Sequence, residues 1–537
     1  MRKIFIYLLL FLLSLSLNSY SEFADHFLRS KLTRYQSPEF LTYNELVTLS
    51  NNPHPGGALE KKVEKLLNTP IVSNEAFFRG ARPHRPKDPR LGPFLRVVQW
   101  NIEKSMKMQQ AIWAFTDAKA FAKLIDTKRF DEGSPEYLEA LRQRQLLEDA
   151  DVVILQEMDI GVKRSEYRNA VKDLAEALNM NYVYGTEQLE IDPINLGIEK
   201  FEDEKGVEDK KLQEIFRVEP AKYKGLFGSA ILSRYPITGV KFFQLRNQAY
   251  DWYNGEKVPL TVLEKARRNG AKAVFMEKLF REIKVGGRVF LEADLYVPDL
   301  AEKKLSVVNV HLEIKCKPKD REVQMAEILS NLVDIKNPIL MAGDFNSAPT
   351  DLSPTSVRRE IRNLASDPTF WFDRAVQMVN PAGIFLGPVH FLSNETENFQ
   401  NPTAPNLPVI FPNRVKGLFK LIQNYRFYDS FCFDFRGNRD RSSNGKKGLL
   451  ANSNQRDRVG FKMTFTTDRT VAHLLGKYRL DWIFVKSYLW NPKDDKGPYR
   501  LAPHFARTLE EMNDRLKERI SDHHPNVVDL PFEEPKM

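Results

Sequence analysis

The sequence predicts an α/β (α+β) fold, a four-layer α/β/β/α sandwich in which two mixed β-sheets pack face to face between outer helices, with large insertions. Short apolar runs, most of them bounded by Gly, Pro, Asp or Asn, recur over about 430 residues. Several runs are apolar enough to be buried on both faces. Segments with apolar residues at helical spacing lie between them. This mixture favours two packed sheets with helices outside.

The predicted elements follow a polar N-terminal lead-in at 22–94, which ends in a stretch rich in Pro, Arg and Lys. Helices are predicted at 168–180 and 321–335. Two polar stretches, about 186–225 and 353–470, interrupt the pattern and are interpreted as insertions into one domain that spans 95–532. The predicted strands are 95–102, 151–158, 229–235, 288–298, 305–313, 338–345, 478–485 and 526–530.

The composition limits the class of protein. Of 537 residues, 80 are Lys or Arg and 71 are Asp or Glu, so the formal net charge is +9, and 42% are hydrophobic. These values exclude a disordered chain, a collagen-like fibre and a disulfide framework. The charge permits a polyanionic partner without requiring one. Cys316 and Cys432 have no second Cys at metal-ligand spacing, which argues against a zinc finger. Their pairing stays open, and two buried thiols are the favoured alternative.

Residues 1–21 have the form of a signal peptide. Two basic residues precede an apolar run at 4–17, which is shorter than the ~20 residues that span a bilayer. Small residues before Glu22 suit cleavage there, and an uncleaved anchor is the alternative because no Ala-x-Ala is present. We therefore expect a secreted or periplasmic mature protein with no stable membrane span.

Polar side chains lie at the ends of the apolar runs, where carboxylates are costly to bury unpaired. A single Glu or His in such a place is more often a capped or solvent-facing group, but a common cause explains nine of them better than nine accidents. Converging carboxylates with Asn and His suit Mg²⁺ or Mn²⁺ rather than zinc. The nine residues are Asn101, Glu103, Glu157, His311, Asp344, Asn346, Asp481, Asp522 and His523.

Seven short motifs carry these residues or lie between them. They are QWNIE at 99–103, LQE at 155–157, SAILSR at 229–234, NVHL at 309–312, GDFN at 343–346, LDWIF at 480–484 and SDHHP at 521–525. Any one of them is a weak signal, since a Gly-Asp-Phe-Asn recurs by chance. Together and in this order, they resemble the endonuclease/exonuclease/phosphatase superfamily, whose fold is deoxyribonuclease-I-like. The resemblance runs from about 95 to 532 and implies a metal-dependent hydrolase of phosphodiester bonds.

The resemblance also implies a metal site. Glu157 matches the central ligand of Mg²⁺ or Mn²⁺, and Glu103 and Asp522 are expected beside it. The assignment of Glu103 is held less firmly, because many family members carry either Asp or Glu there. Asn101 is expected to support the metal side and to bind substrate.

The remaining roles concern water and phosphate. Asp344 is expected to orient and deprotonate the attacking water, and Asn346 to hold a phosphate oxygen. His523 would contact the scissile phosphate, oriented and kept charged by Asp481. His311 would be the acid for the leaving oxygen or a phosphate clamp.

Arg164 follows the Glu157 motif and is predicted to reach a substrate phosphate. A surface salt bridge is the alternative for this arginine.

Family resemblance fixes the reaction class better than the substrate. Nucleic acid is one hypothesis, supported by the net charge and by a polar, basic segment at 437–458. A sphingomyelinase-type phospholipase C is the second, with 367–373 and 384–392 as membrane-entering hairpins or else buried core. A small-molecule phosphatase and a catalytically silent surface-interaction protein are further alternatives, but the presence of every expected group argues against the silent one.

Overall fold

The computed structural model describes residues 28–200, 213–214, 216–257, 282–347, 416–434, 464–471, 475–478, 480–489 and 499–533. The predicted signal peptide at 1–21 and the segments 367–373, 384–392 and 437–458 lie outside the described residues. In the part of the chain that is described, no helix combines the length and the apolar character needed to cross a membrane.

Strands and helices are numbered along the described chain. The strands are β1 (Tyr35–Gln36), β2 (Ile71–Ser73), β3 (Lys87–Asp88), β4 (Gly92–Asn101), β5 (Val152–Ile160), β6 (Asn181–Glu190), β7 (Leu226–Ser233), β8 (Ile237–Gln244), β9 (Lys284–Gly286), β10 (Val289–Tyr296), β11 (Lys304–His311), β12 (Ile339–Asp344), β13 (Phe465–Val471), β14 (Leu475–Tyr478), β15 (Asp481–Lys486), β16 (Tyr488–Leu489), β17 (Tyr499–Arg500), β18 (His504–Thr508) and β19 (Asn526–Pro531). The helices are α1 (Tyr43–Asn51), α2 (Gly57–Asn68), α3 (Glu75–Phe78), α4 (Met108–Thr116), α5 (Ala118–Ala122), α6 (Pro135–Glu148), α7 (Ala170–Leu178), α8 (Asn254–Lys257), α9 (Pro318–Ser330), α10 (Lys416–Asn424) and α11 (Glu511–Asp514).

Two mixed sheets form the centre of the molecule. The first has the order β1-β2-β6-β7-β5-β4-β19-β18, with β3 paired to β4 and β9 paired to β6. The second has the order β15-β12-β11-β10-β8. Each sheet contains one parallel pair, β4 with β5 and β11 with β12, among antiparallel neighbours.

Side chains on the strands alternate between two apolar layers. Along β5, Ile154 packs in the core between the two sheets, whereas Val153 and Leu155 pack in the core under the helices α1, α2, α4 and α7. On the second sheet, Val310 faces a third core, which α9 and α10 cover. The layers are therefore helix, sheet, sheet and helix, and the predicted fold class is confirmed.

The described part of the predicted lead-in, residues 28–94, contributes to this core rather than leading into it. β2 pairs with β6 and thereby extends the first sheet, and β1 pairs with β2. Leu46 on α1 and Leu66 on α2 are fully buried in the core that also contains Trp100. The composition of the segment is polar on average because only one face of each amphipathic helix is apolar. Its composition therefore does not show that these helices are packed in the core. A capping box of Thr42 and Glu45 marks the start of α1.

The predicted strands correspond to β4, β5, β7, β10, β11, β12, β15 and β19, and the two predicted helices to α7 and α9. The insertion expected from about 186 differs from the structure, because β6 continues to Glu190 and is buried along its length. Both cysteines lie among the described residues, and they are not joined by a disulfide.

Candidate active site

The topology brings the polar strand ends to one edge of the sandwich. Parallel strands place their carboxyl ends at the same edge, so Asn101 lies at the end of β4 and His311 and Asp344 at the ends of β11 and β12. In the register of the second sheet, His311 is opposite Asp344 and Asp344 is opposite Asp481. Motifs that are hundreds of residues apart in the chain are thus neighbours in space.

Asn101 connects the two sheets at this edge. Its Nδ2 donates hydrogen bonds to Glu157 Oε1 at 3.2 Å and to Asp344 Oδ2 at 3.0 Å. Its Oδ1 accepts a hydrogen bond from the backbone N of Glu103 at 3.2 Å. Because Asn101 is fully buried, one amide fixes the separation of two carboxylates and the start of the next loop.

His523 and Asp481 form a buried pair. His523 Nδ1 is 2.7 Å from Asp481 Oδ2, and its Nε2 is 3.8 Å from Asp344 Oδ2. Burial by itself lowers the pKa of His523, but the charge of Asp481 and the hydrogen bond to it, with the charges of Asp344 and Asp522, raise that pKa well above its ordinary value of 6.5. The raised pKa favours the cationic form of the imidazole, whose Nε2 faces Asp344 Oδ2.

A chain of buried amides holds Asp481, and the sequence analysis did not identify it. Gln99 Nε2 donates to Asp481 Oδ1 at 2.8 Å and to Gln156 Oε1 at 2.8 Å. Gln156 Nε2 in turn donates to Asn309 Oδ1 at 2.7 Å, across to the second sheet. These three amides are at most 2% exposed. The sequence does contain a signal for this chain, because each of the three amides interrupts an apolar run. An amide on a buried strand needs hydrogen-bond partners, so each of these residues could have been expected to pair with another polar group.

Asp344 is held by donors on both of its oxygens. The backbone N of Asn346 donates to Oδ1 at 2.7 Å, and Asn101 donates to Oδ2. Burial and the neighbouring charge of Asp481 raise the pKa of Asp344 above its ordinary value, although the charges of His523 and His311 oppose this. Asn346 Nδ2 donates to Leu312 O at 2.9 Å, which leaves its second amide hydrogen for another acceptor.

Three residues of the site have left-handed backbone conformations that are uncommon outside glycine. They are Glu103 with φ 44°, Glu157 with φ 59° and Asn346 with φ 45°. At Glu157, the register between β5 and β7 shifts between Leu155 and Met158, so the strand bulges and re-aims this side chain. Such strained residues persist only where the surrounding structure holds them.

The donor set fits a hard divalent cation. Glu103, Glu157 and Asp522 are partly exposed, whereas Asp344 and Asp481 are buried behind them. Glu103 Oε2 accepts from the backbone N of Asp522 at 3.0 Å, which keeps these two residues together. Carboxylate oxygens that face solvent in this way suit Mg²⁺ or Mn²⁺.

A second group of metal-type ligands consists of Asp344, Asp481 and His523, whose ligand atoms lie within 4.8 Å of one another. Because His523 Nδ1 and Asp481 Oδ2 share a proton at 2.7 Å, a cation there would have to displace it.

A family model described as the endonuclease/exonuclease/phosphatase family matches residues 98–523. The chain belongs to the endonuclease/exonuclease/phosphatase family. A comparison with curated proteins found no match.

Solved structures resemble this family member at low identity. An endonuclease/exonuclease/phosphatase from Beutenbergia cavernae is 15% identical, with 82% of this chain and 71% of that chain covered and a TM-score of 0.34. An AP endonuclease from Archaeoglobus fulgidus is 13% identical, with coverages of 81% and 98% and a TM-score of 0.34. A D. rerio TDP2 complexed with single strand DNA product is 13% identical, with coverages of 81% and 98% and a TM-score of 0.33.

Two predicted residues of this family member have partners that the sequence did not reveal. His311 Nδ1 lies 2.8 Å from Arg288 Nη1 and 3.1 Å from the carboxylate of Glu187. Arg164 donates four hydrogen bonds, two each to Asp159 and Glu190, at 2.7–2.9 Å. The substrate role of Arg164 is therefore corrected to the ion-pair alternative, although the pair is largely buried rather than at the surface. Asp159 and Glu190 are both buried, and a buried carboxylate is destabilising unless a cation pairs with it. The guanidinium of Arg164 is that cation for both residues.

Proposed function

We propose that this family member is an exported, divalent-metal-dependent phosphodiesterase that acts on nucleic acid. The observation that supports the chemistry best is the position of Asp344 and His523. A carboxylate with a raised pKa and an imidazolium face one another at 3.8 Å, beside partly exposed carboxylates. A phosphodiester repels an anionic nucleophile, so hydrolysis requires a base for water and positive charge for the phosphate at one place.

Asp344 is the base in this proposal. Asn101 and the backbone N of Asn346 occupy one lone pair on each carboxylate oxygen and fix its orientation. The remaining lone pairs accept a proton from water, and the raised pKa of Asp344 brings its basicity closer to neutral pH.

His523 supplies positive charge to the phosphate. Asp481 holds Nδ1, so Nε2–H is the donor that a phosphate oxygen meets. Gln99 occupies the other oxygen of Asp481 and keeps this carboxylate in place. Charge that develops on the phosphate in the transition state is then stabilised by a preorganised donor in a buried site.

Glu157, Glu103 and Asp522 would hold the cation. When bound there, a divalent cation neutralises charge on the phosphate and assists the nucleophile or the leaving oxygen.

Nucleic acid as substrate is supported by the net charge of +9, because polyphosphates bind basic proteins through counterion release. The residues proposed for a lipid-entering hairpin, 367–373 and 384–392, lie outside the described residues. Hydrolysis of sphingomyelin is therefore measured as the test of the phospholipase alternative.

The test compares hydrolysis of bis-p-nitrophenyl phosphate, plasmid DNA and sphingomyelin, with and without Mg²⁺. We expect cleavage of the diester and of DNA that requires the metal, and loss of turnover in Glu157→Ala. Glu136→Ala, at an exposed position on α6, is the control for a lost carboxylate. Activity that survives both chelation and Glu157→Ala rejects the metal mechanism, and cleavage of sphingomyelin alone rejects nucleic acid as substrate.

Export is tested separately by expressing the full chain in a bacterium and sequencing the N-terminus of the protein from each fraction. A secreted or periplasmic product that begins at Glu22 supports the proposal, whereas protein retained inside the cell with residues 1–21 intact contradicts it.

A further inference from the structure

Asp522 and His523 lie on a segment, residues 515–525, that connects α11 to β19 without forming a helix or a strand. Its backbone therefore lacks the ladder of hydrogen bonds that holds a strand in its sheet. Buried backbone groups still need partners, and side chains provide several of them here. The side chain that provides most is Asn513 on α11, which is fully buried.

Asn513 makes three hydrogen bonds to the backbone around Asp522. Its Nδ2 donates to Ser521 O at 2.7 Å and to His523 O at 3.2 Å. Its Oδ1 accepts from the backbone N of Ile520 at 2.9 Å. Both amide hydrogens and one lone pair are thus in use. One side chain therefore holds the backbone on both sides of Asp522.

We infer that Asn513 is a positioning residue that sets the place of Asp522 and His523 relative to the first sheet. The segment meets that sheet through contacts that depend on its exact position. The backbone N of Asp522 donates to Glu103 Oε2 at 3.0 Å, and Trp100 Nε1 donates to His523 O at 2.9 Å. Loss of Asn513 would leave buried backbone groups without this partner, so the segment would rearrange and these contacts would lengthen.

The position of Asn513 depends in turn on α11, which is a single turn of four residues. A helix of this length is not stable by itself. Its first turn is held from the outer helix α6, because Gln143 Oε1 accepts from the backbone N of Glu511 at 2.8 Å and of Met512 at 3.2 Å. The outer helical layer therefore reaches the site through two buried amides in series.

Asn181 is a matched control for Asn513. It is also fully buried, its Nδ2 donates to two backbone carbonyls at 3.2 and 3.1 Å, and its Oδ1 accepts from a backbone N at 2.9 Å. It pairs with Ser233, which pairs with Val152 at the start of β5, whereas Glu157 lies near the other end of that strand. Loss of Asn181 thus removes the same kind of hydrogen bonds at a distance from the site.

The test compares the unmodified full chain with Asn513→Ala and Asn181→Ala. Electron paramagnetic resonance of the free ion measures the affinity for Mn²⁺, and mass spectrometry measures backbone hydrogen exchange over 515–525. We expect both variants to lose comparable stability in chemical denaturation. Only Asn513→Ala should bind Mn²⁺ more weakly, by about tenfold to a hundredfold, and only this variant should exchange faster over 515–525.

Mn²⁺ affinity and exchange over 515–525 that are the same in Asn513→Ala as in Asn181→Ala would overturn the inference. If Asn513→Ala does not fold, Gln143→Ala decides, because it releases the first turn of α11 and leaves Asn513 in the chain. Weaker Mn²⁺ binding in Gln143→Ala supports the inference, and unchanged binding overturns it. The metal measurement rests on the proposed function. If the unmodified protein binds no Mn²⁺ and hydrolyses no phosphodiester, the proposed function fails, whereas the exchange measurement still decides the role of Asn513.

Discussion

The hydrogen bond between Asp481 and His523 determines which residue of the site is cationic. Burial alone would lower the pKa of His523, because the imidazolium loses its hydration. The carboxylate of Asp481 reverses this effect by its charge and by a 2.7 Å hydrogen bond, and Gln99 donates a hydrogen bond to the second oxygen of Asp481. A protonated histidine at neutral pH is thus a property of three side chains rather than of one.

Asp481→Asn tests this arrangement. Because the pKa of His523 is raised, the imidazole stays protonated at pH values well above 6.5. The decline of turnover that follows loss of this proton should therefore occur only well above pH 6.5. Removal of the carboxylate lowers this pKa, which moves the alkaline decline to lower pH and reduces turnover at neutral pH by on the order of 100-fold or more. Steady-state rates measured against pH give both effects.

Asp529→Asn is the control, since Asp529 is a buried carboxylate on β19 of the first sheet whose partner is Arg96. It should alter stability but leave the pH profile unchanged. Turnover in Asp481→Asn that equals the unmodified protein, or an alkaline decline at the same pH, contradicts the role assigned to the pair.

The residues that the sequence pattern brings together most readily are those that place a polar side chain at or near a strand end. Asn101, Asp344, Asp481 and His523 lie at such positions and form one cluster. Residues whose role depends on a partner from another part of the chain were harder to predict from the sequence. Arg164 illustrates this, because the ion pairs that occupy it involve Glu190 on a strand that had been taken for an insertion.

At the scale of single elements, β12 shows why the motif before Asp344 begins with glycine. A Cβ added to Gly343 would lie 1.8 Å from the carbonyl oxygen of Val310 on the neighbouring β11. The two parallel strands approach closely at the point where His311 and Asp344 are opposite one another. The close packing of the two strands therefore explains the glycine of this motif, separately from any role of the carboxylate that follows it.

Gly343→Ala should separate β11 from β12 and displace Asp344. Overpacking of this kind costs about 1–3 kcal/mol of the free energy of unfolding, and misplacement of the base should reduce turnover on top of that. Chemical denaturation and steady-state rates measure the two effects. Gly133→Ala is the control, with a positive φ of 84° but no atom within 4 Å of an added Cβ. Its cost should be about 1–2 kcal/mol with normal turnover, and equal turnover in the two variants would contradict the displacement of Asp344.

Element prediction succeeded where a buried strand is mainly apolar and failed where a buried strand carries charged residues. The buried strands β5, β11 and β12 are continuous apolar runs and were predicted. β6 contains Glu187 and Glu190 among apolar residues, and both glutamates are neutralised by buried cations from other elements. Sequence alone does not show those cations, so the strand resembled a polar insertion.

At the scale of the whole molecule, the site exists because two sheets meet at one edge. The first sheet supplies Asn101 and Glu157, and the second supplies Asp344 and Asp481. Changes that loosen the packing between layers therefore act on the site, even when they lie far from it. The N-terminal segment is part of this packing, since α2 lies against β6 in the outer core of the first sheet.

Leu66→Ala tests whether that segment is an integral layer of the catalytic fold. Leu66 is fully buried in the core that contains Trp100 and Leu155, so truncation should leave a cavity and lower the free energy of unfolding by about 2–5 kcal/mol. Because the core is continuous, tryptophan fluorescence and loss of turnover should report the same single transition in denaturant. Leu138→Ala on α6, where Leu138 is 54% exposed, should change stability by less than about 0.5 kcal/mol. A separate early transition in Leu66→Ala with turnover preserved would instead show that residues 28–78 fold apart from the sheets, as the original interpretation of a lead-in requires.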